Sequence, residues 1–383
     1  MKKPPSYLET AIIRLSVILT ILGLLICLST TMPDYFYTKI INTPFSNFLK
    51  QLLAAIIGLI FLLLARTKSA KFYKSIAVPF FVFNIFLLVV VLLFPSSVTN
   101  EFGDQVRRSI PIPYLGFTFQ PSELAKVAVV LFFAKLFSSR EKKIKNKEYL
   151  TWFTFLFIPA LLILKEPNFS AAMLLILIGS VTMFYGGISI YHYIRNLTPF
   201  VIIGFLLSAA FGQSARILSR INNYLGIFTK SGGDQYQLQN SLRTIAQGRW
   251  FGMGFLRSTQ KFQNLPFNST DFVFSVICEE FGIIMAICIL VLFFLLFLVA
   301  IQISLKTKDH FSSIVAAGLG SHIFLQAFFH AGVTVGLVPP TGVPLPFISI
   351  GGTAMMVTLF EIGILLSIAR RIEEKVVLPN FTV

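Results

Sequence analysis

Residues 272–303 read FVFSVICEEFGIIMAICILVLFFLLFLVAIQI, a run in which Glu279 and Glu280 are the only charged side chains. A helix needs about 20 apolar residues to cross the hydrocarbon core of a membrane. This run therefore predicts a transmembrane helix long enough to tilt or to extend beyond the bilayer. Similar apolar runs lie near 11–30, 49–65, 76–95, 121–137, 151–165, 169–189, 197–211, 311–336 and 350–369. They predict an all-α polytopic membrane protein with about ten transmembrane helices.

The composition supports a membrane protein and argues against nucleic-acid binding. The 383 residues are 55% hydrophobic and only 13% charged, with a mean hydropathy of +0.80. Soluble domains carry about 25% charged residues. The net charge of +16 comes from basic residues that cluster in short loops between apolar runs, as the positive-inside rule produces. We therefore expect a membrane, and no nucleic acid, as a partner.

Lys and Arg are concentrated in alternate connections. The basic set comprises the N-terminus, 66–75, 138–150, 190–196, 304–310 and the C-terminus. Cytoplasmic connections carry this excess, so both termini are predicted to be cytoplasmic. The outer face then holds the Gly-, Pro- and polar-rich connections at 96–120, 165–170, 212–271 and 337–349. The segment at about 212–271 forms a large extracytoplasmic loop between spans 7 and 8 of a single transmembrane domain over 1–383.

The first outer-face group is Arg107-Arg108 followed by QPSELAK at 120–126. Pro121 suits the first turn of a helix, and Glu123 and Lys126 stand three residues apart on one helix face. Charges at the end of a membrane helix are costly unless they are paired or line a wet cavity, which makes them functional candidates. The alternative is an ordinary helix start with a snorkelling lysine.

The second group is the long loop and the residue that closes it. Arg243, Arg249, Arg257 and Lys261, with nearby glycines and aromatic residues, suit a surface that binds phosphate and sugar. Asp271 lies between this polar loop and an apolar helix, where desolvation raises a carboxylate's pKa and suits it to proton transfer. Capping of the next helix by Asp271 explains the same position, and the sequence does not separate the two.

The third group is the segment 332–353, which holds four prolines and five glycines and is largely apolar. It cannot form a continuous helix. Irregular backbone at membrane depth survives only inside protein or against a cavity, so we expect a re-entrant element lining a site.

Together these segments resemble the RodA/FtsW family, also called SEDS. The resemblance rests on QPSELAK at 120–126, YQ…S at 236–241, GxG and QK within 252–261, LP…TDFVF at 265–274, EEFG at 279–282 and PxTGVPLPFISIGG at 339–352. It implies a SEDS-type transmembrane domain in a bacterial cytoplasmic (inner) membrane. It also implies a peptidoglycan glycosyltransferase that polymerises lipid II for cell elongation or division, partnered by a class B penicillin-binding protein transpeptidase.

The resemblance also assigns roles to residues. Asp271 matches the family's essential aspartate and is the expected catalytic base, and Glu123 is expected either to orient Lys126 or to help hold a divalent cation (Mg or Mn). Asn168 replaces the aspartate that the family usually has in this turn. The expected substrate-binding residues are Lys126, Glu123, Gln120, Ser122, Arg107, Arg108, Gln260, Lys261, Pro344 and Ser349, with Lys126 and the two arginines as phosphate partners.

Two other functions remain open. A lipid-precursor flippase or transporter would also need broken helices, but it predicts charged groups along a path through the bilayer. Glu361 and Gln326 are the main such candidates inside spans. A non-catalytic scaffold for a transpeptidase is the third hypothesis; the retained Asp271 argues against it, whereas Asn168 is compatible with it.

Overall fold

A computed structural model describes residues 7–37, 46–93, 108–112, 118–139, 146–166, 168–195, 198, 224, 233–259, 269–339 and 342–376. The fold of this part is mainly helical. Its main elements are α1 (Tyr7–Tyr37), α2 (Ser46–Thr67), α3 (Ala70–Leu93), β1 (Ile110–Pro111), β2 (Thr118–Phe119), α4 (Pro121–Ser138), α5 (Asn146–Lys165), α6 (Phe169–Tyr185), α7 (Gly233–Gly248), α8 (Val273–Lys306), α9 (His310–Thr334) and α10 (Gly352–Val376).

Every predicted apolar run coincides with a helix except 197–211, of which the structure describes only residue 198. Among the described residues, six helices are long and apolar enough to cross a membrane, and they lie in α1, α2, α3, α8, α9 and α10. Two shorter apolar helices, Thr151–Lys165 and Phe169–Tyr185, belong to α5 and α6. The total of about ten spans therefore stays a prediction.

The structure confirms the helical fold class and adds two features. Before α4, β1 and β2 form a small antiparallel pair in which Ile110 lies opposite Phe119. The predicted outer loop contains the helix α7. This helix is polar, so a search for apolar runs could not find it. Its apolar residue Leu238 is fully buried.

Helices α9 and α10 form the centre of the bundle. In their most apolar stretches 78% and 89% of the residues are buried, against about a third in α1, α2, α3 and α8. Glycines allow this close packing: a Cβ on Gly58 of α2 would lie 2.6 Å from Leu359 of α10, and one on Gly320 of α9 would lie 2.4 Å from Ala300 of α8. Polar residues on α9 and α10 are therefore held inside protein, away from lipid.

Candidate active site

Lys126 is fixed inside the bundle near the beginning of α4. Gln120 occupies the N-cap position and Pro121 follows it in the first turn, as the sequence predicts. The Nζ of Lys126 donates to Oε2 of Glu123 at 2.8 Å and to Oε1 of Gln326 at 2.6 Å. Only 1% of Lys126 is exposed. A snorkelling lysine would reach water, so that alternative is wrong and the paired arrangement is confirmed.

The polar chain continues from Gln326 into the centre of the bundle. Oε1 of Gln326 also accepts from Nε2 of His322 at 2.9 Å. Because an amide oxygen only accepts, Nε2 of His322 carries a proton. Nδ1 of His322 lies 2.8 Å from Oε1 of Glu361, at an angle outside hydrogen-bond geometry. The polar chain among the described residues therefore runs from Lys126 through Gln326 and His322 to Glu361.

Asp271 lies just before α8 and is partly exposed. The N-cap position of α8 belongs to Phe272, whose side chain makes no capping hydrogen bond. Asp271 therefore lies one residue before the N-cap. Gly342 faces the carboxylate closely, since a Cβ placed on this glycine would lie 3.5 Å from Oδ2 of Asp271.

The backbone beside Asp271 is held by the irregular 342–351 segment. Oγ of Ser349 donates to the carbonyl of Thr270 at 2.7 Å and accepts from the backbone N–H of Leu345 at 2.8 Å. The N–H of Ile350 donates to the carbonyl of Ser269 at 3.0 Å. Val343, Leu345 and most of the following residues are buried. The prediction of irregular backbone held inside protein is confirmed for this segment.

The same segment is tied to the Lys126 cluster. Nε2 of Gln326 donates to the carbonyl of Pro344 at 2.9 Å. The side chain of Gln51 clamps the other end, donating to the carbonyl of Ser349 at 3.2 Å and accepting from the N–H of Gly351 at 3.1 Å. One continuous stretch of backbone therefore connects Gln326, and through it Lys126, to the backbone next to Asp271.

Gln120 and Ser122 are bonded within the protein. Nε2 of Gln120 donates to Oγ of Ser122 at 3.0 Å, and Ser122 is buried. The backbone N–H of Gln120 donates to Oγ1 of Thr353, which itself donates to the carbonyl of Thr118. These contacts fasten β2 and the beginning of α4 to α10.

Glu279 and Glu280 of the EEFG motif are also buried and hydrogen-bonded. Glu279 accepts from the backbone N–H of Thr259 at 2.9 Å and from the hydroxyl of Ser258. Glu280 accepts from Oγ of Ser29 at 2.6 Å. Glu279 therefore holds residues 258–259 against α8, and Glu280 holds α1 against α8.

Arg108 is exposed and lies within electrostatic range of Glu166 in the turn after α5. Burial raises the pKa of Glu166 to about 9, while the positive charge of Arg108 lowers it. Neither carboxyl oxygen of Glu166 has a hydrogen-bond partner among the described residues, so Glu166 is protonated at neutral pH. Asn168 caps α6 by accepting from the N–H of Ala171 at 3.2 Å.

Three predicted substrate-binding residues, Arg107, Gln260 and Lys261, lie outside the described residues. The predicted metal site has no support from clustering: among the residues that the structure describes, no three His, Cys, Asp or Glu side chains are close enough together to hold a metal ion. Glu123 directs one oxygen to Lys126, which agrees with the expected orienting role.

An apolar groove of about 390 Å³ lies beside the site. It runs between α2, α3, the residue after β1, β2, α4 and α10, and it is accessible from the lipid side past the half-exposed Phe61 of α2. Its lining residues are Ile57, Phe61, Phe80, Ile112, Phe119, Leu124, Thr353, Met356, Val357 and Phe360. Leu124 lies between Glu123 and Lys126 in sequence, so the groove opens close to the buried ion pair.

Comparison with known proteins identifies the family. The model of the FtsW, RodA and SpoVE cell cycle proteins matches residues 9–374. The chain belongs to the FtsW/RodA/SpoVE family. Stage V sporulation protein E of Bacillus subtilis is 32% identical over 327 residues, covering 84% of this chain and 86% of that protein. The probable peptidoglycan glycosyltransferase FtsW of Pasteurella multocida is 30% identical over 367 residues, covering 94% and 90%.

Solved structures of FtsW/RodA/SpoVE relatives confirm the fold. A chain from a peptidoglycan synthase complex that coordinates polymerization and crosslinking superposes with a TM-score of 0.73 at 22% identity, covering 94% of this chain and 97% of its own. The rod shape determining protein RodA of Thermus thermophilus gives a TM-score of 0.66 at 20% identity, covering 94% and 95%. The predicted resemblance to the RodA/FtsW family is thus confirmed, and the chain is a multi-pass membrane protein.

Proposed function

We propose that this protein is a peptidoglycan glycosyltransferase that polymerises lipid II into glycan strands at the outer face of the bacterial cytoplasmic membrane. Relatives that are about 30% identical over most of the chain are named probable peptidoglycan glycosyltransferases. The observation that carries the proposal is the 342–351 segment, which joins a candidate base, Asp271, to a buried cation, Lys126.

In the proposed reaction, a sugar hydroxyl of one chain attacks the anomeric carbon of the next lipid-linked sugar. A new C–O glycosidic bond forms while the bond from that carbon to the diphosphate oxygen breaks. The hydroxyl proton passes to the carboxylate of Asp271, and the bonding electrons leave with the polyprenyl diphosphate. General base catalysis by one side chain is worth about 10² to 10⁴-fold in rate.

Lys126 stabilises the charge that develops on the departing diphosphate. Its ammonium group has three N–H donors, and two of them bind Glu123 and Gln326. The third donor is left for a phosphate oxygen. Because the group is buried in a medium of low dielectric constant, its interaction with an anion is stronger than in water. Arg108 is the second phosphate partner, at the exposed rim.

The apolar groove beside Leu124 accommodates the polyprenyl tail. Its lining is almost entirely aliphatic and aromatic, and it faces the lipid, from which such a tail would enter. We assign no reaction step to a divalent cation, although one oxygen of Glu123 does not contact Lys126.

The proposed setting follows from the same evidence. The charge distribution supports cytoplasmic termini, and thus an outward-facing Asp271. The likeness to a chain from a peptidoglycan synthase complex supports a class B penicillin-binding protein transpeptidase as the partner. We propose a role in elongation or in division and assign neither.

The flippase hypothesis is less well supported. Its candidates, Gln326 and Glu361, do join Lys126 through His322. Among the described residues, however, this row of polar side chains ends at Glu361, which is fully buried. A path for a polar head group across the bilayer would need to continue to the other face.

The test is incubation of the purified full-length protein with lipid II, with glycan strands resolved by gel electrophoresis. We expect a ladder of polymers. A protein that forms no polymer but moves lipid II between the leaflets of a vesicle would be a flippase. A protein that does neither would be a scaffold.

A further inference from the structure

A second cleft, of about 930 Å³ and lined by both charged and aromatic side chains, lies beside the first turns of α8, the helix that Asp271 precedes. It is formed by the end of α7 and the segment 249–259. Its lining includes Arg243, Gln247, Arg249, Trp250, Phe251 and Thr259. None of these residues has a role in the reaction described above.

The backbone contacts of this cleft place it at a membrane surface. The N–H groups of Ile283 and Ile284 donate to the carbonyls of Arg249 and Trp250 at 3.0 and 3.4 Å, where α8 is kinked at Gly282. From Ile284 onward, α8 exposes the apolar side chains of a lipid-facing surface. Trp250 and Phe251 are 65% and 84% exposed at the edge of that surface. Exposed aromatic residues at this level are typical of the membrane–water interface.

The cleft is positively charged. Neither guanidinium group, of Arg243 or of Arg249, has a hydrogen-bond or ion-pair partner among the described residues. The nearby carboxylate of Glu279 is buried and already accepts from Ser258 and Thr259. The C-terminal end of α7 adds a partial charge of about −0.5, which two full positive charges outweigh. Guanidinium groups match phosphate oxygens with paired N–H donors.

Arg249 also has an unusual backbone conformation. Its φ of 48° lies in the left-handed region, which glycine adopts without strain and other residues adopt at a cost. Nothing in the packing of this position requires an arginine, because the side chain is exposed. Strained residues of this kind are concentrated at functional sites.

We propose that this cleft binds the phosphate group of a membrane lipid. Two lipids supply that chemistry: an anionic phospholipid of the surrounding leaflet, and the polyprenyl-diphosphate substrate of the proposed function. Only the second source rests on the proposed function. The cleft would hold the lipid head group beside the kink of α8 at Gly282, eleven residues after Asp271.

Trp250 supplies a direct readout. The chain has two tryptophans, and the other, Trp152, is buried at 2% exposure. In a Trp152→Phe background, the purified protein in detergent is titrated with phosphatidylglycerol that carries brominated acyl chains, which quench tryptophan fluorescence. We expect saturable quenching. Brominated diacylglycerol, which lacks the phosphate, should quench only weakly and without saturation.

Arg249→Gly tests the site, because glycine suits this backbone and the variant should unfold at a temperature no lower than the parent. We expect its apparent Kd for the brominated phosphatidylglycerol to rise about tenfold or more, as for loss of a charged hydrogen bond. The matched control is Lys308→Gln, which removes a positive charge from the exposed turn between α8 and α9, outside the cleft. It should leave the Kd within about twofold, a small free-energy change.

Competition with unlabelled undecaprenyl diphosphate distinguishes the two sources. If undecaprenyl diphosphate displaces the brominated lipid at a concentration equal to or lower than unlabelled phosphatidylglycerol does, the cleft is assigned to the substrate. If it needs a higher concentration, the cleft is assigned to phospholipid. Both outcomes support a phosphate site. Unchanged binding by Arg249→Gly, or an equal loss in Lys308→Gln, overturns the proposal. So does equal quenching by brominated diacylglycerol, which would show apolar membrane contact alone. Because no polymerisation is measured, failure here leaves the proposed function untouched.

Discussion

Replacing Lys126 is the most informative change to the buried ion pair, but Glu123 must be replaced in the same variant. In Lys126→Met alone, the carboxylate of Glu123, which is 5% exposed, loses the one cationic partner that it has among the described residues. Breaking a buried pair in this way costs about 3–5 kcal/mol, which is a large part of the stability of a domain. A loss of activity in this single variant could therefore reflect unfolding.

The double variant Glu123→Gln/Lys126→Met separates the two effects. It removes both charges and nearly preserves both side-chain volumes, and replacing a buried pair by neutral groups is often close to neutral for stability. It leaves Oε1 of Gln326 with its bond from His322, so that oxygen keeps one donor. We expect a thermal unfolding temperature much closer to that of the parent than to that of Lys126→Met.

The same double variant should polymerise lipid II about 10² to 10³-fold more slowly, the usual effect of losing one preorganised donor to a developing negative charge. Polymerisation is measured with purified protein at matched concentrations, and folding by thermal unfolding in the same detergent. A double variant that is stable and polymerises as fast as the parent would refute the assignment of Lys126 to the leaving group. Lys126 would then be a structural anchor of α4 and α9.

Three further predictions follow from other contacts. Ser349→Ala removes the hydroxyl that donates to the carbonyl of Thr270 and so holds the backbone beside Asp271. We expect kcat to fall about 10²-fold, as for a 1 Å misplacement of a catalytic group, and KM to change less. A parental kcat would show that Ser349 does not position Asp271. The raised pKa of Glu166, about 9, means that the folded state binds the proton more tightly than the unfolded state, so this residue makes stability fall as pH rises from about 4.5 to 9. Glu166→Gln should remove this contribution to the change of stability with pH, measured by thermal unfolding at pH 5 and pH 8. An unchanged dependence on pH would contradict the raised pKa of Glu166. In intact cells, a cysteine at Phe255 should react with an impermeant label and one at Lys143 should not; the reverse pattern would overturn the predicted orientation.

The transmembrane helices could be predicted because each needs a long apolar run, which a single sequence displays directly. The run at 272–303 and the helix α8 at Val273–Lys306 differ by only a few residues. The kink in α8 at Gly282 was not predicted. Nor was α7, because its stability comes from packing against α8 and not from an apolar run.

The candidate site could be predicted only in part. Glu123 and Lys126 are neighbours on one helix, so their pairing follows from helical spacing. Gln51 and Gln326, by contrast, are single polar residues in apolar runs, and they bond to partners 298 and 18 residues away along the chain. No local pattern marks such contacts. The same holds for His322 and Glu361, which meet only because α9 and α10 pack together.

The central claim is that Asp271 takes the proton from the attacking hydroxyl. Its most direct test is the rate of glycan-strand synthesis from lipid II by purified Asp271→Asn, compared with Asp309→Asn. Asp309 also begins a helix, capping α9 through the N–H of Ser312, and asparagine caps nearly as well as aspartate. We predict that Asp271→Asn is slower by about 10²-fold or more, while Asp309→Asn retains nearly the parental rate. Near-parental synthesis by a correctly folded Asp271→Asn protein would contradict the account.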